Sequence, residues 1–291
     1  MQARTLAMAA LVLGGLAAPA AAQIIATSIP RSIAGGGEGR WAFHVMYAPY
    51  AKWKINQFEE TDTAFVSARA KPNSSFLGAA EVAFKAGSDV TLGLGGWFNK
   101  VGNTDYDFTF VEVSDVVLGL DGVRTDDLTV VEGHANAFYK SIGLQVGVVH
   151  GKSTTTGLTI GNFLLDDLVL TRGELVSLLG SAEVDAIEAE GRGLEISTTD
   201  VDGYLVYKAG SQDSDRLGWG FSLGAGAYRY GGSKKTVPSA FATLSVGLYK
   251  GLGIDSSFWY IGKSKSDLQE SLDVSDGLNR FSIGIGYTFS N

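Results

Sequence analysis

The chain contains no cysteine, so it forms no disulfide, no thiolate zinc site and no lipid attachment through a thiol. It has 5 prolines and 3 histidines, and it lacks the run of about 20 apolar residues that a membrane-spanning helix requires. Basic residues are in deficit, with 23 Lys and Arg against 31 Asp and Glu. An acidic surface neutralises phosphate poorly, which argues against nucleic-acid binding. Because no apolar run is long enough for a membrane-spanning helix, any membrane span must be a β-strand.

The one apolar run near the start, Leu6 to Ala18, follows Arg4 and precedes Ala20, Ala21 and Ala22. A short apolar stretch between a positive charge and small residues is typical of a secretory signal peptide. We predict a signal peptide over residues 1–22, a mature chain that begins at Gln23, and a flexible glycine-rich lead over residues 23–40.

Glycine is abundant, at 39 residues, and many glycines alternate with large apolar residues. The clearest case is the end of the chain, where one face of a candidate strand is apolar and the other small or polar. The apolar set is Phe281, Ile283, Ile285, Tyr287 and Phe289, and the opposite set is Arg280, Ser282, Gly284, Gly286 and Thr288. This period of two predicts a lipid-facing strand whose small inner face borders a wetted barrel interior.

Within this strand, Ser282, Gly284, Tyr287 and Phe289 have the spacing polar, x, Gly, x, x, aromatic, x, aromatic. The pattern resembles the C-terminal sorting signal of Gram-negative outer-membrane β-barrels, although the usual form ends on the aromatic residue and here Ser290 and Asn291 follow. The resemblance implies a location in the cell outer membrane of a Gram-negative-type envelope. It also implies two partners, the outer-membrane lipid and the barrel-assembly machinery.

The alternating segments predict an all-β fold, a single transmembrane antiparallel up-and-down β-barrel over residues 41–291. Candidate strands number about twelve, within a range of about ten to fourteen. They include Thr63–Lys71, Phe76–Phe84, Tyr106–Leu118 and Leu128–Tyr139. If the last strand runs inward, the segments 151–200, 229–238 and 262–277 lie outside, and Lys85–Ser88 forms a very short outer loop. The periplasmic connections are then expected at Lys71–Ser74, Asn99–Asp105, Lys140–Ser141 and Lys250–Gly253.

The segment 151–200 breaks the alternation and is acidic. Within it, Glu174 to Glu190 places leucine, alanine and isoleucine at helical spacing. We predict a long loop that carries a short helix. Two positions are open to it, inside the lumen as a constriction or outside as a partner-binding surface.

Charged and polar residues at inward positions are the candidate functional residues, because charge at membrane depth must face water or a partner. The predicted lumen-lining set is His44, Arg69, Glu81, Asp89, Glu132, His134, Asn136, Gln145, Asp255 and Arg280. Glu132, His134 and Asn136 share one strand face. The outer-membrane phospholipase family keeps a His-x-Ser pair on one strand, and here Asn136 stands in place of that serine. We therefore predict no catalytic residue, no metal and no cofactor.

These features lead to three functional hypotheses. The first is a passive channel for small solutes, whose sparse, mixed lumen charge predicts weak ion selectivity. The second is a plugged barrel that binds a surface partner through its outer loops. The third, a lipid-modifying barrel enzyme, is disfavoured by the missing nucleophile. The sequence leaves the solute and the oligomeric state open.

Overall fold

The computed structural model describes residues 40–53, 56–60, 64–71, 75–113, 117–165, 168–193, 195–211, 219–231, 236–249, 252–262, 264–265, 273–274 and 278–289. The predicted signal peptide, most of the lead and the ends of several loops lie outside these ranges. The strands are β1 Arg40–Trp53, β2 Asn56–Glu60, β3 Ala64–Lys71, β4 Ser75–Lys85, β5 Val90–Val113, β6 Val117–Tyr139, β7 Ile142–Leu165, β8 Leu168–Thr171, β9 Glu195–Ser211, β10 Trp219–Arg229, β11 Thr236–Tyr249, β12 Leu252–Ile261, β13 Ser264–Lys265, β14 Asp273–Val274 and β15 Leu278–Phe289. Two helices, α1 Arg172–Leu179 and α2 Ser181–Glu190, lie between β8 and β9.

Ten strands form the barrel wall, each paired antiparallel with a neighbour on both sides. The order is β1, β4, β5, β6, β7, β9, β10, β11, β12 and β15, and β15 pairs again with β1. Because this pairing satisfies the backbone hydrogen bonds of every wall strand on both sides, the ring of ten strands has no open edge.

The expected count of about twelve strands is corrected to ten, at the lower end of the predicted range. Two expected connections are not turns between two wall strands. Asn99–Asp105 lies within β5, and β3 and β4, on either side of residues 72–74, both run antiparallel to β5. Sequence alternation restarts at a bulge or a proline, whereas backbone pairing continues past it.

One end of the wall has short connections, at residues 86–89, 140–141, 212–218 and 250–251. The other end carries the connections around 166–194 and 262–277. Short periplasmic turns and long outer loops are the asymmetry of outer-membrane barrels, which orients the wall. Residues 85–88, predicted as a short outer loop, therefore lie on the periplasmic side.

Three adjacent strands extend far past the others at the outer end. β5 has 24 residues, β6 has 23 and β7 has 24, whereas β10 has 11 and β12 has 10. β3 pairs with the outer part of β5, and β2 pairs with β3. We call this one-sided sheet of β2, β3 and the outer parts of β5, β6 and β7 the projection.

The helix pair α1–α2 replaces the single helix predicted over Glu174 to Glu190. A capping box begins α1, in which Thr171 and Glu174 satisfy each other's backbone N–H groups. Gly180, with φ of +90°, separates the two helices, because a left-handed backbone favours glycine. The loop itself is shorter than predicted, since β7 continues to Leu165 and β9 begins at Glu195.

The helix pair lies on the same sheet face as the barrel interior. Leu158 pairs with Arg124, whose buried side chain occupies an inward position of β6. A Cβ at Gly191, directly after α2, would meet the side chain of Leu158, and Glu188 accepts a hydrogen bond from the Ile160 N–H at 3.0 Å. The apolar helix residues that become buried are Leu175, Val184 and Ile187. The pair therefore covers the inner face of the projection above the barrel. Of the helices the structure describes, neither is long and apolar enough to cross a membrane.

Candidate functional site

A continuous apolar belt surrounds the outside of the wall. Its side chains are large and between 37 and 64% exposed, at Leu92, Leu94, Phe98, Val131, Ile142, Leu144, Val146, Val148, Leu205, Leu223, Leu244, Val246, Ile254, Phe258, Ile283 and Ile285. On β6 the belt runs from Val131 to Tyr139, close to the roughly 9–11 residues of a tilted transmembrane strand. So much exposed apolar surface is stable only against hydrocarbon.

Exposed aromatic residues border both rims of the belt. Tyr139, Tyr207, Trp219 and Tyr287 lie near the periplasmic connections, and Tyr47, Phe76, Tyr260 and Phe281 lie toward the outer end. Past the outer rim, outward positions become charged, with a Lys100–Asp127 ion pair at 3.2 Å and a Lys152–Glu195 pair at 2.6 Å. An apolar band between two aromatic girdles is the surface of an outer-membrane β-barrel. The chain is a barrel of this class and lies in the outer membrane.

The barrel interior is the candidate functional site, and it is filled by side chains. The largest fully buried residues include Phe138, Gln145, Tyr228, Trp259 and Arg280, each at most 2% exposed. Arg280 Nη2 donates to Ser75 Oγ at 2.8 Å, so its side chain reaches from β15 across β1 to β4. An interior wide enough for solutes would leave such groups exposed to water.

A buried polar network occupies the middle of the interior. His134 Nδ1 lies 2.8 Å from Glu132 Oε2, and Asn136 Nδ2 donates to Glu81 Oε1 at 3.0 Å. The strand alternation brings Glu132, His134 and Asn136 to one face, and the pairing of β5 with both β4 and β6 brings Glu81 to them across the glycines of β5. Hydrogen bonding of this kind is what keeps charged groups tolerable when they are buried.

A second buried network joins three strands on the opposite wall. Tyr204 Oη and Ser239 Oγ are 2.8 Å apart, and Trp259 Nε1 donates to Ser239 Oγ at 3.0 Å. Phe241 packs edge-on against Tyr204, with ring centres 5.1 Å apart. Aromatic rings with bonded polar tips therefore fill this side of the interior.

The inward glycines are covered by these side chains. A Cβ at Gly93 would overlap Asn136, one at Gly95 would overlap His134, and one at Gly224 would overlap the ring of Phe241. Each glycine is the cross-strand partner of the residue that covers it. The space left by glycine is therefore occupied by protein, not by water as the sequence pattern predicts.

The predicted lumen residues fall into three groups. Those on inward positions and buried are Glu81, Glu132, His134, Asn136, Gln145, Asp255 and Arg280. Asp89 is exposed in the bend between β4 and β5, outside the wall strands. His44 pairs with Gly286 on β15, Arg69 pairs with Asp107 on β5, and the side chains of both lie outside the described set.

The sorting-signal residues lie on the last strand as the alternation requires. Ser282 is buried, Gly284 is on the same inward face, and Tyr287 is 40% exposed to the outside. Phe289 is the last paired residue of β15 and lies opposite Trp41. Its own side chain is outside the described set.

Sequence reasoning missed a buried ion pair at the base of the projection. Arg124 Nε donates to Asp126 Oδ1 at 2.7 Å, and Ser153 Oγ donates to Asp126 Oδ2 at 2.7 Å. Alternation of charged residues at i and i+2 in a strand is the available signal. The strand prediction begins only at Leu128, so residues 119–127 fall in a connection there, whereas β6 already includes them.

The helix pair contains a second charged cluster. Arg172 donates to Glu188 from Nε and Nη2, both at 2.9 Å, and to Asp185 at 3.2 Å. The hydrogen bond from Arg172 holds the pKa of Glu188 below its ordinary value. Among the residues that the structure describes, no group of three or more His, Asp or Glu side chains is arranged to hold a metal ion.

No protein-family model and no curated protein matches the chain. Solved structures with a similar backbone path include that of Ail, the attachment invasion locus protein of Yersinia pestis. It is 13% identical and covers 87% of this chain and 99% of that one, with a TM-score of 0.33. Another is the outer-membrane protease OmpT from Escherichia coli, at 9% identity, covering 90% of this chain and 100% of that one with a TM-score of 0.41. A third is the outer-membrane protein OprG from Pseudomonas aeruginosa, at 8% identity, covering 89% of this chain and 100% of that one with a TM-score of 0.30. Similarity at this level carries no functional information.

Proposed function

We propose that the protein is an outer-membrane barrel with a filled interior that acts at the cell surface through its projection and helix pair. This is the second of the three hypotheses drawn from the sequence. The observation that supports it is the burial of inward side chains at belt level, where Trp259, Tyr228 and Phe138 are at most 2% exposed. A wall of ten strands encloses little more space than its own inward side chains occupy.

The projection supplies the surface for this activity. On β6 it extends from Val117 to Val130, or roughly 45 Å of strand, beyond the lipid-facing part. The helix pair presents exposed Glu174, Glu183 and Asp185. An acidic surface of this kind attracts cationic partners and repels anionic ones.

Conductance across a planar bilayer tests the filled interior. We expect no conductance steps from the refolded mature chain, and none from a variant that lacks residues 172–190, because the wall's own side chains fill the belt level. Steps from the full chain would establish the alternative, a passive channel for small solutes. Steps from the deletion alone would make the helix pair a plug.

Binding of a cationic model protein, cytochrome c, tests the surface activity. Cells that display the full chain should bind more cytochrome c than cells that display the 172–190 deletion, and the difference should shrink at high salt. Equal binding by both would remove the helix pair from the proposal.

We propose no catalytic function. His134 is 8% exposed, and its Nδ1 is engaged by Glu132 inside the wall. This supports a packing role over that of a base that must meet a lipid substrate. A lipid-hydrolysing activity lost in His134→Ala but retained in His150→Ala would contradict the proposal.

A further inference from the structure

The lipid-facing side of the wall has a cleft of about 440 Å³ over β10 and β11. Its floor consists of small residues, Ala225, Ala240 and Ala242. Large residues of the flanking strands form its sides, Leu205 and Tyr207 of β9 on one side and Phe258 of β12 on the other. The volume lies within the roughly 300–1,000 Å³ of small-molecule sites.

The strand registers give the cleft a direction. Leu223 lies between Tyr207 and Ala242 in one cross-strand row and closes the periplasmic end on β10. Toward the outer end, the next outward positions on β10 are Ala227 and Arg229, both exposed. Arg229 lies about 13 Å from Ala225 along the strand. The apolar cleft therefore opens toward a cation at the outer water boundary.

We propose that the cleft binds one acyl chain of an outer-leaflet lipid whose phosphate-bearing headgroup meets Arg229. The cleft is continuous with the apolar belt and is therefore immersed in hydrocarbon. Arg229 supplies charge complementarity at its open end, because guanidinium binds phosphate strongly. The inference requires the membrane position of the belt and is independent of whether the interior is filled.

Close packing is what would hold a lipid acyl chain in this cleft. Within a bilayer the hydrophobic effect does not favour a bound lipid over a bulk lipid, because both are surrounded by hydrocarbon. Binding must therefore come from closer packing contacts. Alanines on the floor let an acyl chain touch protein on three sides, and each added atom pair contributes dispersion attraction. A second barrel is convex and would fill the cleft only with single side chains, whereas stable interfaces bury more than about 1,000 Å².

Photo-labelling in vesicles tests the site. The full mature chain is reconstituted in phosphatidylethanolamine with a trace of phosphatidic acid that carries a diazirine in one acyl chain, and labelled peptides are identified by mass spectrometry. We expect several-fold more label on β10 and β11 than on β5 and β6. A diacylglycerol probe with the same chains, which lacks the phosphate, should label β10 and β11 less.

Variants separate the chain site from the headgroup site. Ala225→Leu fills the cleft and should reduce β10–β11 labelling several-fold, whereas Ala135→Leu, a lipid-facing alanine of β6, should not. Arg229→Gln should remove the difference between the two probes. Ala240→Leu is a second filling variant if Ala225→Leu does not fold.

Three outcomes would overturn the proposal. They are even labelling around the belt, β10–β11 labelling unchanged by both filling variants, or dimers that a bifunctional protein cross-linker, applied to the same vesicles, joins through β10 and β11. The last would show a second copy of the chain in the cleft. Circular dichroism of each preparation confirms that the barrel has inserted and folded, so a failure of membrane insertion is recognised separately.

Discussion

At the scale of single residues, the inward glycines decide how tightly the interior packs. Gly224 pairs with Phe241 across β10 and β11, and the phenylalanine ring lies over the glycine. A small residue beside a large one lets the ring fill the interior without moving the backbone. The inward face is thus small in sequence yet densely packed in space.

Gly224→Ala is therefore expected to destabilise the barrel by about 1–3 kcal/mol, because the new methyl group displaces the Phe241 ring. Gly133→Ala is the matched control. Gly133 is lipid-facing with open space at its Cβ position, so alanine should be neutral or stabilise by up to about 1 kcal/mol. Urea unfolding of the refolded chain in lipid measures both. Equal effects would show that Phe241 does not cover Gly224.

Leu223 and Leu168 are exposed to similar extents, 50 and 52%, but to different surroundings. Leu223→Arg should cost about 2–4 kcal/mol because it places a charge against hydrocarbon. Leu168→Arg, on β8 above the belt, should change stability by less than about 0.5 kcal/mol. The same unfolding assay tests the pair, and a comparable loss at Leu168 would place β8, and the outer end of β7 with which it pairs, in the membrane.

At the scale of elements, the helix pair depends on contacts that its own sequence does not supply. Its helices have 8 and 10 residues, too short to persist alone. Burial of Val184 and Ile187, and the bond from Ile160 N–H to Glu188, hold the pair to β7. The helices therefore form because the projection provides an apolar face.

Acid is expected to loosen the helix pair. Arg172 lowers the pKa of Glu188 from its ordinary 4.5, so the stabilisation is complete above that value and is lost as pH falls below it. The protection of residues 172–190 against hydrogen–deuterium exchange, relative to the intrinsic exchange rate at each pH, should fall as the pH drops below about 4.5.

Glu188→Gln is the control for this pH effect. It should be less protected than the native chain at neutral pH, and its further loss of protection on acidification should be smaller. An unchanged acid response in this variant would assign the effect to another carboxylate of the segment.

Strand boundaries show where local pattern and pairing diverge. The segments predicted at Thr63–Lys71 and Phe76–Phe84 correspond to β3 and β4, with nearly the expected bounds. The first was wrongly counted as a wall strand, because β3 pairs only with the outer part of β5, whereas β4 pairs with β5 at the level of the wall. Register shifts such as that between Val101 and Thr104 interrupt the alternation without ending the strand.

At the scale of the whole molecule, the wall is uneven. β5, β6 and β7 pass through the belt and continue outward, whereas β10, β11 and β12 end near its rim. The result is a membrane barrel with a one-sided sheet above it. The outer surface of that sheet is accessible to solvent, and its inner surface is partly covered by the helix pair.

Cysteine labelling tests this placement, because the native chain has no cysteine of its own to react. Thr159→Cys, exposed on the projection, should react with a membrane-impermeant maleimide in intact cells. Ser88→Cys, in the bend between β4 and β5, should react only after the outer membrane is permeabilised. Val146→Cys, within the belt, should stay unreactive in both. Labelling of residue 88 but not 159 in intact cells would invert the orientation.

The sequence by itself determined the class of fold and the inward and outward sides of the strands. Period-two alternation needs only the chain's own stereochemistry, so it places Ile283 and Ile285 outward, and Glu132 and His134 inward, whichever strands lie beside them. The tertiary structure decided the strand count, the filled interior and the partners of the buried charges. Those depend on which strand lies beside which: Glu81 and Asn136 are 55 residues apart in the chain and meet because β5 pairs with both β4 and β6.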